Sequence, residues 1–89
     1  MPSLIVAHVY MRRRDDPLDE FRELLLWQHE HHFAVEQVIG FMSNQDPVPI
    51  CQRATLKIGS EHEMKRILLE ESTRLKKEGF AITNESSLN

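Results

Sequence analysis

Residues 3 to 11, Ser-Leu-Ile-Val-Ala-His-Val-Tyr-Met, are largely apolar on both of the faces that a strand presents. Leu4, Val6, His8 and Tyr10 alternate on one face, and Ile5, Ala7, Val9 and Met11 on the other. A strand of this kind is normally central and covered on both sides. A chain of 89 residues has trouble meeting that demand alone, because a domain of this size buries only roughly 60% of its unfolded surface. The first strand therefore predicts a fold that leans on a second copy of itself.

Arg12, Arg13 and Arg14 close this strand, and Asp15-Asp16-Pro17 reads as a helix start. Asp16 suits the N-cap and Pro17 the first helical position, where a missing N–H costs nothing. At about 100° per residue, Leu18, Phe21, Leu24, Leu25, Gln28 and His32 share one side of a helix reaching to about Phe33. Trp27 lands with Asp19, Glu23 and Glu30 on the opposite side. Residues 34–43 and 50–58 read as two strands joined by the turn-rich Ser-Asn-Gln-Asp-Pro-Val-Pro loop, and hence as an antiparallel pair. Gly59 breaks the pattern, and Ser60 with Glu63 forms the capping box of a second helix. That helix carries the stripe Met64, Ile67, Leu68 and Leu75, with Gly79 at its left-handed end. Phe80–Thr83 reads as a short last strand.

The resulting β-α-β-β-α-β order predicts an α+β, ferredoxin-like plait: a four-stranded antiparallel sheet with two helices on one face. Residues 1–84 form a single domain in this reading and residues 85–89 a polar tail. With both helices on one side, the other face of the sheet is open. A homodimer or tetramer, formed by sheet stacking or edge pairing, would close it.

Composition narrows the partners. With 11 Lys and Arg against 14 Asp and Glu, the net charge of −3 provides no field for nucleic acid or an anionic membrane. Basic residues interleaved with aromatics in an RNA-stacking pattern are missing as well. No apolar run approaches a membrane span, and the N-terminus does not read as a secretory signal. The single cysteine, Cys51, cannot form an internal disulfide, which points to a reducing, cytoplasmic setting.

The densest chemistry lies in Gln28-His29-Glu30-His31-His32. His29 and His32, three apart, would be neighbours on a helix, and together with Cys51 they make a reasonable ligand set for nickel, zinc or copper. Against that stands the lack of any diagnostic metal spacing, and charged histidines also suit a helix C-terminus for purely structural reasons. Cys51 is either a small buried hydrophobe or, with a neighbouring histidine, a nucleophile. The three arginines balance nearby acids or hold an anion. Trp27, a lone tryptophan among acids, either lies over a neighbour or anchors a protein partner. Leu69 is similarly off the stripe of its helix.

Taken together, His8-Val9-Tyr10 ending the first strand, the 28–32 cluster, and Cys51 leading into Leu56-Lys57-Ile58-Gly59 resemble the C-terminal, ACT-like domain of nickel-responsive ribbon-helix-helix repressors. That resemblance implies a ferredoxin-like fold, oligomerisation and nickel held by a histidine of the 29–32 cluster and Cys51. The family's His-x-His pair is replaced here by Gly40-Phe41-Met42-Ser43. The reading that follows is a non-enzymatic, oligomeric, regulatory module that binds a small ligand, a metal or a protein partner. The alternatives are a small dimeric α/β-barrel enzyme with His8, Tyr10 or His32 facing a pocket, or an accessory subunit docking through Trp27.

Overall fold

The computed structural model describes residues 3–15, 18–43 and 50–87. Among these residues five strands and one helix follow one another: β1 (Leu4–Asp15), β2 (Leu18–Gln28), β3 (Phe33–Ser43), β4 (Ile50–Gly59), α1 (Glu61–Lys77) and β5 (Ala81–Ser87). The strands form one sheet in the order β4-β3-β2-β1-β5, and every neighbouring pair is antiparallel. This overturns the ferredoxin-like plait. Among the described residues the sheet has five strands rather than four, and a single helix covers it.

The difference originates in residues 18–28. Read as a helix, this segment leaves Leu26 and Trp27 pointing away from the core. Read as a strand, it puts Arg22, Leu24 and Leu26 on one face and Phe21, Glu23, Leu25 and Trp27 on the other. Leu24 and Leu26 are fully buried, and Phe21 and Leu25 nearly so. A continuous apolar run such as Leu24-Leu25-Leu26-Trp27 is what a strand with company on both faces requires. β2 is accordingly the middle strand of the sheet. The N-cap expected at Asp16-Pro17 and the loop over 44–49 lie outside the described residues.

The second half of the chain matches its sequence pattern closely. The Ser60 hydroxyl accepts from the Glu63 N–H at 3.2 Å and lies 3.0 Å from the Glu63 carboxylate, the expected start of α1. At the other end the Gly79 N–H reaches the Lys76 carbonyl and the Phe80 N–H the Leu75 carbonyl, at 3.1 and 3.0 Å. Those two bonds define a Schellman ending. It needs a left-handed residue, and Gly79 supplies it at φ +100°. Phe80 then folds back into the same cluster as Leu75.

α1 lies across β2, β3 and β4. Beneath it two linked apolar groups form the main core: Val9, Met11, Leu24, Leu75 and Phe80, and then Leu26, Val35 and Met64. A bulge between Ile5 and Ala7 lets Val6 and Ala7 both pack against the second group. β1 is thus flanked by β2 and β5, but its need for a second covering layer is smaller than strict alternation implies. The helix-free face of β1 carries His8, Tyr10 and Arg12 instead of an unbroken apolar row.

On that face Phe21, Leu25 and Val38 form a third, smaller cluster with Tyr10 and Trp27 against it. Phe21 lies directly over Gly40, where any Cβ would collide with the ring. Tyr10 stacks on Phe21 with 5.6 Å between centroids. The last strand runs on to Ser87, beyond the expected end at Thr83, because Asn84, Glu85, Ser86 and Ser87 continue the ladder along β1 past a register shift at Tyr10/Met11. Polar residues are tolerated there because β5 is an exposed edge.

Candidate functional site

The β2–β3 hairpin turns at His29-Glu30-His31-His32, closed by a 2.9 Å bond from the His29 N–H to the His32 carbonyl. The histidine cluster is therefore a hairpin tip and not a helix end. His29 leaves the turn toward the helix-free face. There its imidazole lies parallel to the Trp27 indole, within 6° and with 6.0 Å between centroids. Its Nδ1 is 2.6 Å from the Ser3 hydroxyl. His32 remains exposed, its ring 4.8 Å from that of His29.

Trp27 is partly buried. Its Nε1–H donates to the Glu36 carboxylate at 3.1 Å, from the middle strand to the next one. Arg53, on β4, approaches the same Glu36 oxygen at 3.6 Å. Strand alternation places Ala34 and Glu36 of β3 beside Trp27 of β2, and the β3–β4 register sets Thr55 opposite Glu36. Ser3, Trp27, His29, Ala34, Glu36 and Thr55 together line a cleft of about 310 Å³ on the helix-free face. Its floor is aromatic, and a carboxylate held in place by the indole and a hydroxyl lie beside it. Such a mixture of a flat apolar surface with a few fixed polar groups is the usual make-up of a ligand site.

The other residues singled out from the sequence do not converge here. Cys51 is exposed near the start of β4 and pairs opposite Gly40. His32 adjoins Phe33, which pairs with Gly59 at the far end of the same ladder. Eight residues of strand put the two roughly 25 Å apart, so His29 or His32 and Cys51 cannot hold one metal within a chain. Among the described residues no group of three or more His, Cys, Asp or Glu side chains is arranged to hold a metal ion.

His8 and Tyr10 sit side by side on β1, away from the cleft. The His8 Nε2 is 2.6 Å from Glu23, and Tyr10 is occupied by Phe21. Neither presents its polar group to the Trp27 cleft. Arg12 and Arg13 pair with Asp19 and Glu20 on β2, which is charge balance within the chain, achieved with acids across the hairpin. Leu69 is exposed on the outer side of α1.

Glu36 and Thr55 were not singled out in the sequence. The available signal was the alternation of Ala34, Glu36 and Val38, which becomes informative only once Trp27 is placed on a strand beside it.

Comparison with protein-family models, curated proteins and solved structures finds no significant match. Among the described residues no helix is long and apolar enough to cross a membrane.

Proposed function

We propose that this chain is a non-enzymatic binding module, regulatory in role, whose ligand seat is the Trp27 cleft. The observation that supports this reading is the pairing of an accessible indole with a carboxylate fixed by that indole's own N–H. Binding of a ligand to the folded state raises its stability by mass action, about 2.7 kcal/mol at a hundred times Kd. A thermal-shift screen with flat, polar aromatic compounds is expected to give hits that raise the melting temperature of the wild type. Thr55 is exposed at the cleft wall, so Thr55→Arg fills the cleft without disturbing the core. The variant should melt as the wild type does and lose the response. Hits that stabilise both proteins equally would remove the cleft from the proposal.

Self-association is the second reading, and β4 favours it. Every side chain from Cys51 to Ile58 is exposed, Ile58 at 60%, on a strand with one side unpaired. An edge of that length is a template for another strand, and a second copy pairing there would continue the sheet. Sedimentation is expected to find a species of twice the 10.5 kDa chain mass. A single species at the chain mass, at millimolar protein, would rule this out. The exposed Cys51 thiol fits a cytoplasmic, reducing setting.

A further inference from the structure

We infer that the Trp27 cleft takes a flat nitrogen heterocycle of the guanine type, carried on a free nucleoside or nucleotide; the inference rests on the cleft being the chain's ligand seat. Three features of the cleft select this class. The indole of Trp27 and the His29 imidazole already stack in parallel, 6.0 Å between centroids, so the cleft holds flat rings in register and a planar base extends that stack. Stacking on tryptophan suits every nucleobase, because each has a π-face.

The second feature is Glu36. One of its oxygens accepts the indole N–H and faces Arg53, while the other has no partner among the described residues. A carboxylate offers about four lone-pair sites, so this group is oriented and still able to accept. A base edge with two adjacent N–H donors matches it. Guanine has such an edge in N1–H and the exocyclic N2–H. Adenine sets an acceptor beside its donor, and uracil flanks one N–H with two carbonyls, so both turn a lone pair toward the carboxylate.

The third feature is Arg53. Its side chain is 62% exposed and stands 3.6 Å from Glu36, which leaves the guanidinium able to turn to a phosphate once the base engages the carboxylate. A cleft of about 310 Å³ accommodates one nucleotide, and it is a single stacking platform, not the series that a nucleic-acid strand would need.

Trp27 is the only tryptophan in the chain, so its fluorescence reads the cleft directly. The probes are the monophosphates of guanosine, inosine, adenosine and uridine, with benzamidine as a flat cation. Guanosine monophosphate is expected to quench saturably. Loss of one donor in inosine monophosphate should weaken binding about tenfold, and adenosine monophosphate should bind more weakly still. Glu36→Gln should weaken guanosine monophosphate by a similar factor. The ligand series makes the same test on the unaltered protein, so the result does not depend on how the variant folds. Equal quenching by the guanosine and adenosine forms overturns the guanine assignment but leaves the cleft as a site, as does a preference for benzamidine. Silence toward all five probes, with the thermal-shift screen also blank, overturns both the assignment and the site.

Discussion

Leu26→Ala is expected to destabilise the protein by about 3 kcal/mol, within the range for emptying a fully buried leucine site. For a domain of this size that lowers the melting temperature by about 4–8 °C for each kcal/mol. Leu26 has no exposed surface and packs with Val35 and Met64 beneath α1. The experiment also separates the observed strand from the helix that the local pattern of residues 18–28 suggests. On a helix with Leu18, Phe21, Leu24 and Leu25 inward, Leu26 faces away from the core, and truncating it would change little. On β2, Leu24 and Leu26 project to the same side, and each empties a buried site when cut back. Chemical denaturation of Leu24→Ala and Leu26→Ala side by side is the measurement. Comparable losses are expected from the strand, whereas a large loss at Leu24 with almost none at Leu26 would contradict it.

That segment is where local pattern and tertiary structure part. Arg, Glu, Gln and Leu, which dominate Leu-Asp-Glu-Phe-Arg-Glu-Leu-Leu-Leu-Trp-Gln, are all good helix formers. Its apolar residues also fit a 3.6-residue period as well as a period of two. The deciding contribution comes from outside the segment: β1 and β3 bond to its whole length on either side, and a central strand takes apolar residues on both faces. Propensity is a weak preference that such pairing overrides. The capping box at Ser60 and the left-handed Gly79 were legible because both depend on a few adjacent residues and on little else. The candidate site was half legible for the same reason. Trp27 stands out in any reading, but Glu36 and Thr55 join it only through the β2–β3 and β3–β4 registers, which no local pattern specifies. The histidines and Cys51 are chemically compatible metal ligands that the ladder carries to opposite ends.

The Arg-Arg-Arg run that closes β1 supplies the second large effect. The Glu20 carboxylate lies between two guanidiniums, with Arg13 Nη2 and Arg22 Nη1 each at 2.5 Å. Both guanidiniums also stand over the Phe80 ring, at 4.7 and 5.1 Å from its centroid. Arg13 additionally donates to the Glu78 carbonyl at the end of α1, at 2.8 Å. The cluster thus fastens the β1–β2 hairpin to the helix terminus. Burial alone pushes the Glu20 carboxyl up, but the hydrogen bonds and charges of the two arginines outweigh it and hold the group below its ordinary value. A carboxylate depressed in this way adds stability that is complete above the unfolded-state value, about pH 4.3, and is lost as pH falls through the lower folded-state one. Glu20→Gln is expected to cost about 2 kcal/mol near neutral pH, since bonds to charged groups are lost where little water can replace them. The gap between wild type and variant should then close on the acid side, because protonation does to the wild type what the substitution has already done. Urea denaturation of both proteins across that range measures it. A gap of unchanged size as pH falls below the unfolded-state value would mean that the Glu20 charge is not the source of the loss.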